Sequence, residues 1–378
     1  MFSPLKIILS VVFIVSGFVM HAQTKEDDIK AIFQNAYDKF EQKDFSSSYI
    51  AYTHYLSIRP KDAVAYYNRG LCAYEMKDYN DGITNYNMSI SHSRKQADVY
   101  RSRGLCYYQL KNYERAISDF DTAILYKADY AEAIANKGDC LNELKKYREA
   151  IALFDIAIQL NKKQSDFYLN RAISKYHLAD IYGSLEDCNM ALSISKNNQT
   201  YFQRGLNYIR LKRFEEAIHD YDTILAHDTK NARAYDKRAV AYLNYNRKEK
   251  ALNDNNKAIE LDPTAPEAYY NRALTKYELG KYKDAEPDFN AAIDLKLNEA
   301  THYLSRGINY FAEKKYTLAL DDIHKSILLD PKISEAYFYR AKLKKQQNDV
   351  SGFCADLKQA YLLGHKLAHE EMLKNACK

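Results

Sequence analysis

The sequence predicts an all-α protein made of stacked helical hairpins, and three observations support this fold class. The chain has 378 residues, of which 47% are hydrophobic and 28% charged, a composition typical of a folded protein. It has only 11 Gly and 6 Pro, too few turn-forming residues for a long β protein. Small residues, most of them directly after Arg, recur every 34 positions. A fixed period of this length indicates a stacked array rather than independent domains.

The array is predicted to contain ten repeats of 34 residues, one of them shortened to 33 between Ala172 and Gly205. The lost residue falls in the 195–198 stretch, between helices, where a loop tolerates a deletion. The small residue that marks each repeat is taken as repeat position 8. The predicted repeats span residues 29–62, 63–96, 97–130, 131–164, 165–197, 198–231, 232–265, 266–299, 300–333 and 334–367.

Each repeat reads as two helices joined by a short turn. An aromatic residue at position 4, such as Tyr66, lies on the same helical face as the small residue at position 8, such as Gly70. A second helix starts near an aromatic residue at position 17, such as Tyr79, and has a small residue at position 20, such as Gly82. Small side chains on both helices let the two backbones approach closely, so a large residue at either position would separate them.

Charged residues at two repeat positions occur together. Position 7 is basic in nine repeats and position 23 is Asp in seven, and every repeat with that Asp also has Arg at position 7. We therefore predict an ion pair between the two helices of one repeat, against the alternative of surface charges placed by chance. The predicted pairs are Arg103–Asp119, Arg171–Asp187, Arg204–Asp220, Arg238–Asp254, Arg272–Asp288, Arg306–Asp322 and Arg340–Asp356.

The first 23 residues have the three-part form of a secretory signal peptide. Lys6 gives a positive start, residues 7–20 are an apolar run, and Ala22 is a small residue at a possible cleavage site. An uncleaved membrane anchor is the alternative, but fourteen apolar residues are shorter than the roughly 20 that span a bilayer. We therefore expect residues 1–23 to be removed on export, to the periplasm or outside the cell, without stable membrane insertion afterwards.

Other functional classes receive little support. The 55 basic and 50 acidic side chains nearly balance, so no nucleic-acid partner is predicted. The sequence contains no glycine-rich phosphate loop, nucleophile elbow or zinc-protease helix, and its ten His are scattered over unrelated repeat positions. The sequence therefore predicts no catalytic residues, no metal site and no cofactor, and we do not expect an enzyme.

The motifs of the repeats carry a resemblance to a known family. The segments Ala65-Tyr-Tyr-Asn-Arg-Gly70 and Tyr113-Glu-Arg-Ala-Ile-Ser-Asp-Phe120 resemble the two helices of the tetratricopeptide repeat, and Leu261-Asp-Pro263 resembles its ending. The resemblance covers almost the whole chain after residue 28. It implies a right-handed superhelical solenoid with the first helices lining the concave side. It also implies a binding architecture, which is used in many pathways.

The resemblance places a partner-binding surface on the first helices, and there this sequence is rich in aromatic residues. Such a surface suits an extended peptide or an amphipathic helix of a partner protein. One alternative is that many of these rings pack between neighbouring first helices, and others are binding of a glycan or the cell wall and a structural role in an envelope assembly. The predicted partner-binding residues are Tyr67, Tyr74, Arg101, Tyr108, Phe202, Tyr270, Tyr277, Leu304 and Phe311.

The end of the chain is predicted to cap the array. Residues 366–376 form a short amphipathic helix with Leu367, Met372 and Leu373 facing inward, as the end of a repeat array requires for solubility. Gly364 lies between Cys354 and Cys377 as a turn between antiparallel helices. A Cys354–Cys377 disulfide is therefore possible, and export to an oxidising compartment permits it without requiring it.

Overall fold

The structure is a computed structural model that describes residues 25–295, 299–375 and 377, so the predicted signal peptide lies outside the described residues. In the described ranges the chain forms 21 α-helices and no strand, which confirms the predicted all-α fold. The helices are α1 (described over residues 25–41), α2 (Phe45–Ile58), α3 (Ala63–Glu75), α4 (Tyr79–Ser91), α5 (Ala97–Gln109), α6 (Tyr113–Tyr126), α7 (Ala131–Glu143), α8 (Tyr147–Leu160), α9 (Ser165–His177), α10 (Ile181–Ile194), α11 (Asn198–Arg210), α12 (Phe214–His227), α13 (Ala232–Asn244), α14 (Lys248–Leu261), α15 (Pro266–Glu278), α16 (Tyr282–Leu295), α17 (Ala300–Ala312), α18 (Tyr316–Leu329), α19 (Ser334–Gln346), α20 (Val350–Leu362) and α21 (Ala368–Lys374).

The helices form consecutive helix-turn-helix repeats in the frame of the 34-residue period. From α3 to α19, each odd-numbered helix begins at the first residue of a predicted repeat, as Ala63, Ala97 and Ala131 show. Its partner begins sixteen residues later, at Tyr79 for α3 and at Tyr113 for α5. Between them one residue of the turn has left-handed backbone, for example Lys77 with φ 64° and Lys111 with φ 59°. This residue reverses the chain direction within a three-residue turn.

The small residues of the repeats lie where the two helices touch. A Cβ atom added to Gly70 would lie only 2.7 Å from the Tyr86 ring, which is fully buried. Where position 20 is Ser, the close approach of the two helices allows a hydrogen bond between them. The Ser48 hydroxyl, for example, donates to the Ala36 carbonyl at 2.7 Å. Side-chain volume at the hairpin interface therefore has a small upper limit.

The chain divides into two compact bodies, which we describe separately. The N-terminal body contains α1–α10, and the C-terminal body starts at Ser195, at the end of the 33-residue repeat, and contains α11–α21. Within each body, the second helix of a repeat packs against the first helix of the next, and each first helix also contacts the next first helix, as α3 does α5 and α13 does α15. Successive first helices therefore form a continuous face in each body.

The structure brings together each of the seven Arg–Asp combinations. In the repeat of α5 and α6, Arg103 donates from Nε and Nη2 to both oxygens of Asp119, at 2.8 and 2.6 Å. The seven Asp side chains belong to residues that are only 1–7% exposed. This bidentate geometry fixes the relative orientation of the two side chains, in addition to the attraction between their charges. The same two bonds form in the other six pairs.

A further contact of the same Arg side chains was not predicted. The Nη1 atom of Arg103 donates to Asn87 in the preceding repeat at 2.6 Å, and Arg171 reaches Asp155 in the same way. The acceptor is at repeat position 25, which is Asn or Asp in most repeats, so the sequence did contain the signal. An Arg with this bond joins two repeats as well as two helices. The further acceptors of this kind are Asp222, Asn256 and Asn290.

The C-terminal helix differs from its prediction. It spans Ala368–Lys374 rather than 366–376, and Ala376 lies outside the described residues. The prediction that Leu367 and Leu373 face inward is wrong, because they are 56% and 70% exposed. Instead Ala368 is fully buried and Met372, four residues on, packs against the same cluster, so the inward face is rotated by one residue.

Cys354 and Cys377 are joined by a disulfide. Their Cα atoms are 5.3 Å apart, within the range that such a bond requires. The bond connects α20 to the segment after α21, and both Cys side chains pack against the cluster around Phe353 and Phe338. The chain end is therefore tied covalently to the last hairpin.

Candidate partner-binding surface

The nine predicted partner-binding residues all lie on first helices. Tyr67, Tyr74, Arg101 and Tyr108 are on α3 and α5, and we call them the N-terminal face. The C-terminal face comprises the residues predicted on α11, α15 and α17. None of the nine is fully exposed, and all except Leu304 are partly buried. The C-terminal face consists of Phe202, Tyr270, Tyr277, Leu304 and Phe311.

Most rings of both faces rest against a ring on the second helix of the same repeat. Tyr67 lies 5.8 Å from Tyr86 between ring centroids, and Tyr108 lies 5.7 Å from Tyr113. Such contacts fix the ring orientation and leave part of each ring to solvent. The faces are therefore ordered before any partner arrives. The corresponding pairs are Tyr74–Tyr79, Phe202–Tyr221, Tyr270–Phe289, Tyr277–Tyr282 and Phe311–Tyr316.

Some of the predicted contact residues are used within the protein. Leu304 is only 5% exposed and belongs to a core cluster with Ile323 and Leu343, so its prediction as a contact residue is wrong. Its side chain packs into the core of its own and the following repeat instead. The Tyr270 hydroxyl lies 2.9 Å from the Ser305 hydroxyl of the next first helix, so this ring fits the alternative of packing between neighbouring first helices.

A polar network extends the N-terminal face across three first helices. On α5, Arg101 donates from Nε to the Asn136 side-chain oxygen on α7 at 3.0 Å. On α9, Asn170 donates from Nδ2 to Asp139 Oδ1 at 2.7 Å. Asn142 on α7 donates to the backbone carbonyl of Asn170 at 3.3 Å. These bonds hold five polar side chains of neighbouring repeats in fixed orientations.

Asp139 lies at a recess of about 210 Å³ between α5 and α7, which Leu105, Tyr108, Gln109 and Asn136 also line. Burial raises the pKa of the Asp139 carboxyl to about 7, and its hydrogen bonds with Asn136 and Asn170 oppose this shift. Burial, and then the nearby Asp139 charge, raise the pKa of Tyr108.

Asp139 was not among the residues predicted for this surface. It occupies repeat position 9, which is apolar in seven other repeats, as Leu71 and Leu105 show. A carboxylate at a position that is otherwise apolar was a signal that could have been followed. The partners of Asp139 could not be recognised in the same way, because they lie on α7 and α9, in two different repeats.

The C-terminal body has a related carboxylate. Asp236 on α13 is 7% exposed and accepts from the Asn271 side chain of the next first helix at 2.7 Å. In contrast to Asp139, it also accepts from the Lys237 ammonium at 2.9 Å. Asp236 and Lys237 line a cavity of about 440 Å³ together with Arg233 and Glu267.

The described parts of the chain offer no group of three His, Cys, Asp or Glu side chains that could hold a metal ion. None of the described helices is both long enough and apolar enough to cross a bilayer.

Comparison with known proteins agrees with the repeat geometry. Sequence profiles described as tetratricopeptide repeat match residues 101–166, 199–226 and 266–299, and a profile described as TPR repeat matches residues 246–280. The chain contains tetratricopeptide repeats. The matched segments include α5–α8 and the hairpin of α15 and α16, so tetratricopeptide repeats occur in both bodies.

Solved structures of tetratricopeptide-repeat proteins share the fold. A tetratricopeptide repeat protein from Parabacteroides merdae is 22% identical, with a TM-score of 0.54 over 66% of this chain and 99% of that chain. The Cut9–Hcn1 hetero-tetramer of APC/C contains a chain that is 12% identical, with a TM-score of 0.53 over 92% of this chain and 89% of that chain. At these identities the likeness concerns the fold alone. No curated protein is significantly similar in sequence.

Proposed function

We propose that this protein is an exported tetratricopeptide-repeat scaffold that binds a peptide or helix of another protein along its first helices. The observation that carries the proposal is the row of partly buried rings on each face, each fixed by a second-helix ring. Rings held in place lose little conformational freedom on binding, so their contact area is converted efficiently into affinity.

Affinity on such a surface comes from several small contacts. A partner segment in extended or helical form would place side chains between the rings of neighbouring repeats, about 10 Å apart for packed helices. The Arg–Asp pairs, which join helices and repeats, keep this spacing constant. The central rings are expected to contribute most of the binding energy, as buried aromatic anchors usually do.

The Cys354–Cys377 disulfide supports the proposal of export, because such bonds persist mainly in oxidising compartments. Mass spectrometry of the protein purified from its native cells tests this part. We expect a mature chain that starts near residue 24 and has this disulfide intact. A chain that retains residues 1–23, with both thiols reduced, would contradict export.

Site-specific photocrosslinking in the native cells tests the binding surface. A photoreactive phenylalanine analogue replaces Tyr67, Tyr108 or Tyr277, one at a time, and preserves most of each ring contact. We expect one or a few proteins to be crosslinked from these positions. The same analogue at Tyr126 or Tyr182 is the matched control, because both are second-helix tyrosines that are 50% and 71% exposed.

The crosslinking pattern distinguishes the competing functions. Crosslinks from Tyr67, Tyr108 and Tyr277 that are absent from Tyr126 and Tyr182 support partner binding on the first helices. Crosslinks mainly from Tyr126 and Tyr182 would contradict it and favour a structural subunit engaged through its second helices. Adducts that carry glycan and no protein would favour the glycan-binding alternative.

A further inference from the structure

Asp139 is a carboxylate that the protein surrounds with amides and leaves without a cation. Asn170 donates to it at 2.7 Å, and Asn136 also hydrogen bonds with it. Among the described residues, the side chains that act most strongly on the Asp139 carboxyl are Asn136, Asn170, Asp166 and Glu143, and none of these is a cation. A desolvated carboxylate in this state is unfavourable, and a cation beside it would relieve the cost.

The Arg side chain of the N-terminal face is engaged by other groups. Arg101 uses its Nε to donate to Asn136, and its guanidinium lies 5.7 Å from the centre of the Tyr130 ring. Through Asn136 it orients the network around Asp139 without pairing with the carboxylate. The cation that would balance Asp139 is therefore expected from outside the chain.

The recess beside Asp139 has the size and charge for such a group. Its volume of about 210 Å³ is several times the roughly 30 Å³ of a water molecule, enough for an ammonium or guanidinium group with its last methylene groups. Tyr108 and Leu105 supply apolar wall for those methylene groups. Glu143 and Asp166 add negative charge near Asp139, so the potential there favours a cation.

We propose that the recess between α5 and α7 is a subsite for one Lys or Arg side chain, or the N-terminal ammonium, of a bound peptide, with Asp139 as the group that recognises the positive charge. This proposal rests on the proposed function and adds its chemical specificity. Asn136 and Asn170 are positioning residues, because they hold the carboxylate in orientation. The rings of the N-terminal face would bind the neighbouring residues of the same peptide.

Selection of peptides from a random 12-residue library against the full-length protein tests the proposal. We expect the selected peptides to share a basic residue at one position, or a free N-terminus. Their affinity should fall about 10- to 100-fold for Asp139→Asn, which corresponds to one charge-assisted contact of about 1.5–3 kcal/mol. Replacing the basic residue by norleucine should cost the same factor in the wild type and almost nothing in Asp139→Asn.

Three controls separate a direct contact from other effects. Glu143→Gln removes a nearby exposed charge outside the recess and should reduce affinity less than 3-fold, as expected for a screened interaction. Asp236→Asn removes the related carboxylate of the other body and should leave the affinity unchanged. Acetylation of the peptide N-terminus shows which source supplies the charge, since only an N-terminal ammonium is sensitive to it.

The pH dependence gives a second readout that a structural role would not produce. Affinity should fall about tenfold per pH unit below pH 7, because binding requires the ionised carboxylate. The other titratable or charged groups around Asp139 are Arg101 and Tyr108 on α5, Glu143 on α7 and Asp166 on α9. The Asp139→Asn protein should lack this dependence.

Failure of the subsite and failure of the proposed function are distinguishable. Selected peptides without a shared basic group, or with equal affinity for the wild type and Asp139→Asn, overturn the subsite alone and leave peptide binding intact. If the wild type selects no peptide while photocrosslinks still form from Tyr67 and Tyr108, a folded surface is the partner and the peptide subsite is also overturned.

Discussion

Asp139 and Asp236 show how two bodies with the same repeat treat a carboxylate between neighbouring first helices differently. Each lies on a first helix and accepts from an Asn side chain of the next first helix at 2.7 Å. Asp236 also has the Lys237 ammonium at 2.9 Å, whereas no cation of the described chain pairs with Asp139. The same carboxylate–amide arrangement is thus neutralised internally in the C-terminal body and left open to a partner in the N-terminal body.

The scaffold around the two carboxylates does not account for this difference. Both bodies have the same bidentate Arg–Asp pairs, and in both the Arg Nη1 atom also donates to a side chain of the preceding repeat, as Arg171 and Arg238 show. What differs is the side chains chosen on the first helices. The comparison indicates that the repeat frame supplies stability while single substitutions on the first helices supply specificity.

The largest expected effect tests what the two bodies share. Replacing Arg103 by Met leaves Asp119 buried without its partner and also removes the bond to Asn87. Breaking a buried pair from one side costs about 3–5 kcal/mol. Arg238→Met should cost a similar amount in the C-terminal body. Urea unfolding of the two variants measures both values.

Lys257→Met is the matched control for these variants, because Lys257 and Glu260 form an exposed pair three residues apart on one helix. Its loss should change the free energy of unfolding by less than about 0.5 kcal/mol. A loss below about 1 kcal/mol for Arg103→Met would show that the Arg–Asp pairs contribute no more than exposed ion pairs, and would contradict their role in stabilising both bodies.

The next effect concerns the proton of Asp139. Between about pH 4 and pH 7 the unfolded chain ionises this carboxyl while the folded protein keeps it protonated, because the folded pKa is raised to about 7. Stability therefore falls as pH rises through this window, by up to about 4 kcal/mol, and stays reduced above pH 7. The Asp139→Asn protein lacks this contribution.

The difference in free energy of unfolding between wild type and Asp139→Asn, measured at pH 4 and at pH 8, reports the ionisation of Asp139 alone, since all other titratable groups are common to the two proteins. We expect the free energy of unfolding of Asp139→Asn, relative to that of the wild type, to increase as pH rises. A difference that is the same at both pH values would mean that Asp139 ionises normally and that its recess is well solvated.

The smallest expected effect comes from a variant in which Asp236 has no cation beside it, as Asp139 has none. Lys237→Met removes the cation beside Asp236 and should cost about 2 kcal/mol, less than a fully buried pair because Lys237 is 31% exposed. Addition of a soluble alkylammonium ion should restore part of this stability in the variant and not in the wild type. If Lys237→Met does not lower the free energy of unfolding, the contrast between Asp236 and Asp139 is contradicted.

The sequence predicted the repeat frame well, because the period of 34 fixes where each helix begins and the linked Arg and Asp positions point to one another. The Asn or Asp at repeat position 25 was a signal for the hydrogen bond from Arg to the preceding repeat, but its role becomes clear only when two repeats are stacked, as Asn87 and Asp155 show. The error at Leu367 and Leu373 has a related cause. In a seven-residue helix a rotation of one residue changes the inward face, and small Ala368 takes the buried position.

The candidate surface was predicted less completely than the fold. Position 12 rings such as Tyr108 keep partial exposure, but Leu304 is buried because its neighbours in the core leave no opening. Asp139 was missed because its role depends on Asn170 of the next repeat and on the absence of a cation nearby. Both are properties of the assembled helices rather than of any one repeat.

A crystal structure of the full-length protein with a selected peptide tests the central claim most directly. We expect a peptide along the N-terminal face that contacts Tyr67, Tyr74 or Tyr108, with a basic nitrogen within hydrogen-bond distance of Asp139 in the recess between α5 and α7. A peptide bound to the second helices, or an apolar side chain in that recess, would contradict it.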